Sequence, residues 1–381
     1  MSHPAGIPTP HVDFAARPML VFWEITRSCL LACRHCRASA TAAPLAGELD
    51  HAEGLDLIDQ VAGFGRPYPI LVLTGGDCLL RDDVFDLVAH ASGLGVPVCL
   101  SPSVTPMLTP ESIARMASSG VKAVSLSLDG SCAETHDGIR GIPGHFEETL
   151  PAIRAIKDAG IKLQINTTVM SGNVHEMPDV AKIVKDYGVD MWEVFFLVHV
   201  GRGEATGAIT PQQHEDVCHF LFDASHHGFV VRTVEAPFFR RVVHERRAGG
   251  PTPDTALYAE LSGRLVELVG EGLDRGSAHT AATRDGKGIL FVAYDGEVYP
   301  AGFLPLGLGS VRDQPLADIY RDHPTLKAIR AAEFTGRCGA CEYADLCGGS
   351  RARAYASTGD PLGEDAACIH QPQTRESALP A

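Results

Sequence analysis

The chain has 381 residues, of which 45% are hydrophobic and 21% are charged, a composition typical of globular proteins. Acidic residues outnumber basic ones by 47 to 32, and the formal net charge of −15 argues against binding to nucleic acid or anionic lipid. No segment approaches the roughly 18 consecutive apolar residues of a membrane helix. The Pro-rich N-terminus also lacks the basic and apolar run of a signal peptide. We therefore expect a cytoplasmic protein without a membrane partner.

Between residues 19 and 200, short apolar runs alternate with amphipathic stretches, a pattern typical of successive strand–helix units. Six strands are predicted, over residues 19–26, 70–74, 96–100, 123–128, 162–169 and 191–198. Five helices are predicted between them, over residues 51–62, 83–92, 110–119, 146–159 and 177–187. Because the strands are almost continuously apolar, they indicate a parallel sheet covered by helices. We predict an α/β fold, a partial (β/α)6 barrel similar to a TIM barrel and open on one side.

The pattern changes after residue 210. The later elements are predicted as a helix over 211–225, a strand over 229–234, a hairpin over 288–299 and a helix over 315–330. A smaller, cysteine-rich C-terminal domain follows. The predicted divisions are a flexible tail over 1–17, the barrel over 18–235, a connecting segment over 236–287 and the cysteine-rich domain over 288–381.

Eleven cysteines indicate metal centres, because a chain of this length does not need disulfides to be stable. Cys29, Cys33 and Cys36 follow the first predicted strand. A cubane iron–sulfur cluster normally takes four thiolates, so three would leave one iron open to another ligand. A zinc site with His35 as fourth ligand is the alternative. It is disfavoured because His35 lies between two of the cysteines in sequence, where neighbouring side chains rarely meet at one tetrahedral centre.

With Cys-x3-Cys-x2-Cys after the first strand, the chain resembles the radical S-adenosylmethionine (AdoMet) enzymes from about residue 18 to residue 372. The resemblance implies that the triad holds a [4Fe–4S] cluster whose open iron binds the amino and carboxylate groups of AdoMet. An electron then cleaves AdoMet to methionine and a 5′-deoxyadenosyl radical, which abstracts hydrogen from a substrate. An electron donor such as flavodoxin or ferredoxin is implied as a partner.

The resemblance also implies contacts with AdoMet from two loops. His35 occupies the position of an aromatic residue that packs near the adenine. Gly75, Gly76 and Asp77 resemble the family's Gly-Gly-Glu motif, which receives the AdoMet amine. Glycine permits close backbone approach, and a carboxylate accepts from an ammonium group. Asp77 is one methylene shorter than the usual Glu.

Two further strand-end motifs resemble the stretches that hold the rest of AdoMet. Ser127 and Arg140 are expected at its carboxylate, and Asn166 at its ribose. For Asn166, hydrogen bonding to the local backbone is an equal alternative.

The C-terminal cysteines Cys338, Cys341, Cys347 and Cys368 supply four thiolates, enough for a closed zinc site or an all-cysteine iron–sulfur cluster. Their spacing is similar to the SPASM or shorter twitch extension of radical AdoMet enzymes. The full extension needs further cysteines near the hairpin, and residues 299–302 contain none. We predict one auxiliary [4Fe–4S] cluster, with zinc as the alternative. The remaining cysteines are expected to be small buried apolar residues, namely Cys78, Cys99, Cys132 and Cys218.

Residues 348–368 resemble enzymes that modify tetrapyrrole side chains in alternative haem and haem d1 synthesis. The resemblance implies a small-molecule substrate whose carboxylates pair with Arg202, Arg351 or Arg353. Pairing of these arginines with local acidic residues is the alternative.

Two other functions remain open. A maturase that forms thioether or carbon–carbon crosslinks in a ribosomally made peptide has the same architecture. The ~17 residues before the first strand are too few for a leader-binding domain, which favours a small molecule. A non-catalytic iron–sulfur electron-transfer or metal-binding protein would need neither the Gly-Gly-Asp motif nor an open iron. No catalytic acid or base can be named from the sequence.

Overall fold

A curled, mainly parallel sheet forms a half-barrel. The computed structural model describes residues 13–205, 207–278, 281 and 283–372, so most of the predicted tail over 1–17 lies outside the described residues. Seven parallel strands are adjacent in chain order: β1 (Leu20–Glu24), β2 (Ile70–Thr74), β3 (Val98–Leu100), β4 (Ala123–Ser127), β5 (Lys162–Val169), β6 (Met191–Phe196) and β7 (Val230–Val234). The α/β half-barrel and its six predicted strands are confirmed, and the strand predicted over 229–234 extends the sheet.

The predicted hairpin joins the other edge of this sheet. It consists of β9 (Gly288–Val292) and β10 (Val298–Tyr299), which pair antiparallel, and β8 (Arg284–Asp285) pairs with β9. β9 runs parallel to β1, with Phe22 opposite Phe291. The C-terminal part of the chain therefore extends the half-barrel sheet at the edge formed by β1.

Thirteen α-helices are found in the described residues. Six pack outside the first strands: α1 (His51–Ala62), α2 (Val84–Leu94), α3 (Pro110–Ser119), α4 (Ala133–Arg140), α5 (His145–Asp158) and α6 (Met177–Asp186). The others are α7 (Pro211–Ala224), α8 (Phe239–Arg247), α9 (Ala256–Val269), α10 (Leu316–Asp322), α11 (Pro324–Arg330), α12 (Gly336–Ala340) and α13 (Arg351–Thr358). Their ends follow capping rules. For example, Asp50 and Glu53 form a capping box on α1.

Several sequence predictions need correction. The helix predicted over 315–330 is two helices, α10 and α11, because Pro324 lacks an N–H and disfavours a helical conformation for His323. The short α4 was not predicted, and α8 and α9 both lie within the segment predicted as a connection. Cys132 is exposed at the start of α4, whereas Cys78 and Cys218 are buried as expected.

One continuous hydrophobic core lies between the sheet and the outer helices. Alternate strand residues such as Val21, Trp23, Leu71 and Trp192 are completely buried there. The intervening residues face the inside of the half-barrel and line a cavity. Within the described residues, no helix combines the length and hydrophobicity required to cross a bilayer.

Candidate active site

The interior of the half-barrel contains a cavity of about 540 Å³, within the usual range for small-molecule sites. Its two sides differ in polarity. The side made by β9, β1 and β2 is apolar and carries Leu20, Phe22, Ile70, Val72, Ile289 and Phe291. The side made by β4, β5, β6 and β7 is mixed: apolar residues such as Met191 and Phe195 line it together with the polar residues Ser125, Ser127, Gln164, Asn166, Thr168, Glu193 and Arg232. The cavity can therefore hold a molecule with one apolar surface and several polar groups.

The thiols of Cys29, Cys33 and Cys36 line this cavity from the loop that follows β1. Hydrogen bonds from Arg202 Nε to Cys33 O (2.9 Å) and from Arg202 N to Cys36 O (3.1 Å) hold the loop. Burial raises the pKa of Cys29, although Leu31 N donates to its Sγ at 3.4 Å. A bound metal centre would supply the positive charge that thiolates in this position need.

The spacing of the three thiols fits a cluster better than a single zinc ion. Their Sγ atoms are not all within 4.8 Å of one another, whereas thiolates on one zinc ion, each bound at about 2.3 Å, would be about 3.8 Å apart. His35 Nε2 lies 3.7 Å from Asp129 Oδ2, and its buried Nδ1 has no hydrogen-bond partner in the described structure. Burial lowers the pKa of His35 to about 4, so its ring is neutral near pH 7 and suits contact with a flat base.

Gly75 and Gly76 line the cavity where β2 ends, beside the segment that leads into the triad loop. Gly76 N donates to Thr26 O at 2.8 Å. A Cβ on Gly75 would lie 2.3 Å from Thr26 O, and a Cβ on Gly76 would lie 2.2 Å from Ser28 O. Only glycine allows the two segments to approach this closely.

We expect Gly76→Ala to weaken AdoMet binding by at least about tenfold, roughly 1.4 kcal/mol, because the added methyl group displaces the triad loop. Equilibrium dialysis of the anaerobically reconstituted enzyme measures this affinity. Gly138→Ala in α4 is the matched control, since nothing lies within 4 Å of its added Cβ. Wild-type affinity in Gly76→Ala would contradict the assigned role of the close approach.

Asp77 does not line the cavity. Its carboxylate is buried and accepts hydrogen bonds from Leu79 N (3.2 Å), Ser103 N (3.3 Å) and Thr105 Oγ1 (2.7 Å). Burial raises the pKa of Asp77, and these three donors act in the opposite direction. Asp77 therefore ties the β2 loop to the β3 loop, and the direct contact with the AdoMet amine expected of it has no support in this geometry.

Arg140 lies at the cavity wall and is held by Asp129, a residue that the sequence analysis did not select. Arg140 Nη2 lies 2.6 Å from Asp129 Oδ2, and Arg140 Nη1 donates to Cys33 Sγ at 3.5 Å. Burial alone would raise the pKa of Asp129, but the adjacent Arg140 lowers it, so Asp129 is ionised. The sequence signal was an aspartate at a strand end shortly before the predicted arginine.

Ser127 and Asn166 are paired across β4 and β5, and both line the cavity as expected. The side-chain oxygen of Asn166 accepts from Gln164 Nε2 at 2.7 Å, and Gln164 Nε2 also donates to Glu193 Oε2 at 2.7 Å. The structure thus brings His35, Gly75, Gly76, Ser127, Arg140 and Asn166 to one cavity with the three cysteines.

Cys338, Cys341, Cys347 and Cys368 line a second, smaller cavity at the C-terminal end of the fold. Backbone N–H groups of Asp365, Tyr343 and Gly349 each donate to one of their sulfur atoms at 3.4 Å. Burial raises the pKa of Cys347 to about 12 and that of Cys368 to about 11, so these thiols also need a metal to be ionised. Cys341 Sγ, a carboxylate oxygen of Glu342 and a ring nitrogen of His370 also lie within 4.8 Å of one another, so this end of the fold carries a further group of possible metal ligands.

The three arginines expected to meet substrate carboxylates have partners within the protein. Arg202 donates to carbonyl oxygens of the triad loop, and Arg353 pairs with Asp365 at 3.1 Å. Arg351 is fully buried near the C-terminal cysteines. Arg202 also lines the main cavity, together with Arg232 and Arg240. Local pairing, the alternative given above, is therefore present for Arg353, which does not line the main cavity. Arg202 does line it and has one buried nitrogen without a hydrogen-bond partner in the described structure, so its contact with a substrate carboxylate stays a prediction.

Comparisons with known proteins agree with this geometry. Residues 23–190 match the radical SAM superfamily, and residues 284–342 match SPASM, an iron–sulfur cluster-binding domain. The chain belongs to the radical SAM superfamily. It is an enzyme whose cofactors are a [4Fe–4S] cluster and AdoMet, with auxiliary iron–sulfur binding in the SPASM domain.

Two curated relatives resemble nearly the whole chain. The chain is 38% identical to "AdoMet-dependent heme synthase" of Nitratidesulfovibrio vulgaris over 361 residues, 93% of each protein. It is 30% identical to "Pre-heme d1 synthase" of Dinoroseobacter shibae over 95% of this chain and 89% of that relative. The fold is similar to that of Streptococcus suis SuiB bound to its precursor peptide SuiA, with a TM-score of 0.68 and 13% identity over 93% of this chain and 76% of SuiB.

Proposed function

We propose that this radical SAM enzyme modifies or decarboxylates carboxylate-bearing side chains of a tetrapyrrole. The observation that carries the proposal is the 38% identity to a relative named as a heme synthase over 93% of both chains. The shape of the main cavity supports it. The apolar side around Phe22 and Phe291 suits a flat macrocycle. Arg202, Arg232 and Arg240 also line the cavity and supply positive charge suited to carboxylates, although Arg232 already pairs with Glu193 at 3.2 Å.

In this proposal, Cys29, Cys33 and Cys36 hold the [4Fe–4S] cluster that binds AdoMet. When bound, these cofactors supply a carbon radical that abstracts hydrogen from the substrate. The protein positions the groups and excludes water. Gly75 and Gly76 present backbone to the AdoMet amine, Ser127 and Arg140 hold its carboxylate, and the neutral ring of His35 and the amide of Asn166 meet the adenosine. Each of these residues lines the main cavity.

The four C-terminal cysteines hold one auxiliary [4Fe–4S] cluster in this proposal. Their thiols line one cavity, and backbone donors point at three of the four sulfurs. Gly349 borders both cavities, so the auxiliary centre is adjacent to the substrate space. Flavodoxin or ferredoxin is the proposed electron donor. We propose a cytoplasmic location, where thiols remain reduced, and no nucleic-acid or membrane partner for this acidic protein.

A peptide maturase is the second candidate, and the fold shared with the peptide-bound SuiB structure favours it. The identity to SuiB is 13%, against 38% to the heme synthase relative. The two candidates predict different substrates, so a direct assay separates them.

We expect an iron tetrapyrrole with free propionate side chains to increase 5′-deoxyadenosine formation by at least about tenfold over AdoMet alone. The assay uses anaerobically reconstituted enzyme with dithionite, and mass spectrometry follows loss of CO₂ from the tetrapyrrole. The methyl ester of the same compound is the control, because it cannot pair with arginine or release CO₂ directly. Turnover of the ester equal to that of the acid would contradict carboxylate recognition. Slow AdoMet cleavage unaffected by either compound would favour the peptide candidate.

A further inference from the structure

Two buried arginines both pack against the ring of Phe334, next to the C-terminal cysteines. The guanidinium carbon of Arg284 is 5.0 Å from the centre of the Phe334 ring, and that of Arg351 is 4.4 Å from it. Arg284 is 4% exposed and Arg351 is 0% exposed. Across the part of the chain that the structure describes, neither has a carboxylate within the 4.0 Å limit of an ion pair.

Both guanidinium groups contact the segments that carry the cysteines. Arg284 Nη1 donates to the carbonyl oxygens of Ala344 (2.9 Å), Asp345 (3.4 Å) and Cys347 (3.3 Å). Its Nε and Nη2 atoms are buried and have no hydrogen-bond partner in the described structure. Arg284 therefore lies beside the segment that carries the C-terminal cysteines, with two of its three guanidinium nitrogens unbonded in the described structure.

Arg351 approaches the same centre from α13. It donates to the carbonyl oxygens of Gly349 (3.2 Å), Pro361 (3.1 Å) and Gly363 (2.6 Å), and its Nη2 lies 3.6 Å from Cys338 Sγ. The two arginines thus contact different members of the C-terminal cysteine group: Arg284 contacts Cys347 through its carbonyl oxygen, and Arg351 contacts the sulfur of Cys338.

Burying a charged group without an opposite charge is strongly unfavourable, and carbonyl dipoles offset only part of that penalty. Asp285 interacts electrostatically with Arg351, but it is itself buried, and this burial raises its pKa. Its Oδ2 accepts from Ala352 N at 3.1 Å. Asp365 is already paired with Arg353. The missing negative charge is therefore not supplied by a protein carboxylate at ion-pair distance.

We propose that Arg284 and Arg351 are the counter-charges of the auxiliary iron–sulfur cluster and raise its reduction potential. The inference rests on the proposed ligands Cys338, Cys341, Cys347 and Cys368. An iron–sulfur cluster bound by four thiolates is anionic and becomes more negative on reduction, so fixed positive charges beside it stabilise the reduced form. Net charge and hydrogen bonds to the sulfurs are known determinants of cluster potential. Arg284 also borders the main cavity, but its Nη1 donates to carbonyl oxygens of the segment that carries Cys347 and its two unpartnered nitrogens are buried, so the cluster is favoured over a substrate carboxylate as its anionic partner.

The test compares Arg284→Met, which removes the charge, with Arg284→Lys, which keeps the charge but loses the forked geometry. The full chain also carries Cys29→Ala, Cys33→Ala and Cys36→Ala, so that the auxiliary centre gives the only iron–sulfur signal. After anaerobic reconstitution, iron is counted and the midpoint potential is measured by redox titration with EPR detection. Arg337→Gln is the control, because Arg337 is partly exposed at the same centre and already paired with Glu364.

We expect Arg284→Met to disfavour cluster reduction by at least about tenfold, or about 59 mV toward negative potential for a one-electron couple, with Arg284→Lys and Arg337→Gln near wild type. If Arg284→Met does not retain iron while Arg284→Lys does, the charge is again the decisive property. The proposal would be overturned if Arg284→Met, Arg284→Lys and the wild type had equal midpoint potentials. It would also be overturned if the two variants shifted the potential equally or both lost the cluster iron. Absence of iron from the parent chain would instead refute the ligand assignment on which it rests.

Discussion

Replacing Cys29, Cys33 and Cys36 together by alanine is expected to abolish formation of 5′-deoxyadenosine. The three thiols line the main cavity, and they are the proposed ligands of the cluster that binds AdoMet. Without them no iron remains there to bind AdoMet or to transfer an electron to it. Iron content should fall by about four atoms per chain, because a cubane cluster is lost, while the auxiliary centre keeps its iron.

Two measurements check this expectation, an iron and sulfide count after anaerobic reconstitution and chromatography of the products formed with AdoMet and dithionite. Cys132→Ala is the matched control, since Cys132 is an exposed cysteine outside both cavities. Retained AdoMet cleavage in the triple variant would refute the triad as the catalytic cluster site. Zinc in place of iron in the wild-type protein would refute the cluster itself.

Asp129→Asn is expected to lower the free energy of unfolding by roughly 3–5 kcal/mol, because it leaves Arg140 buried without its negative partner. The carboxylate is 1% exposed, lies 2.6 Å from Arg140 Nη2 and also accepts from Thr168 N at 2.7 Å. Asparagine has the same shape and can keep the contact with Thr168, so the variant removes mainly the charge. The loss should also weaken AdoMet binding, since Arg140 would no longer be held beside Cys33.

Urea unfolding of the metal-free protein measures the stability change, and equilibrium dialysis of the reconstituted enzyme measures AdoMet affinity. Asp179→Asn is the control. Asp179 pairs with Arg264 at 3.0 Å, but both side chains are substantially exposed, and exposed pairs contribute little to stability. Similar unfolding curves for the two variants, together with unchanged AdoMet affinity, would contradict the assigned role of the buried pair. Normal stability with weak AdoMet binding would limit Asp129 to positioning Arg140.

Local hydrophobic patterns in the sequence predicted much of the architecture. The six strands were predictable because a buried parallel strand must be apolar almost throughout, and the intervening helices because their apolar residues recur with helical spacing. The break between α10 and α11 was also present in the sequence as Pro324, but the apolar pattern on both sides of it suggested one helix. The position of β9 was not predictable, since its pairing with β1 joins residues more than 250 positions apart in the chain.

The candidate site likewise combines residues that the sequence predicted with contacts that only the structure shows. Gly76 was selected from a motif, but the reason for glycine, the 2.2 Å approach of an added Cβ to Ser28 O, exists only in three dimensions. Asp77 belonged to the same motif, yet its carboxylate turns into the protein and bonds to the β3 loop. Asp129 was passed over because nothing in its local sequence distinguishes a buried partner of Arg140 from an ordinary strand-end aspartate.

The sequence by itself determined the class of chemistry, because cysteine spacing within a short loop limits which metal centres those thiols can form. It therefore identified the Cys29, Cys33 and Cys36 triad and the four C-terminal cysteines as candidate ligands. Only the tertiary structure decided which charges meet. Arg351 and Arg353 looked equivalent in sequence, yet Arg353 pairs with Asp365, whereas Arg351 lies fully buried beside Cys338. Burial and pairing set the energy of a charge, and both depend on segments that are distant in the chain.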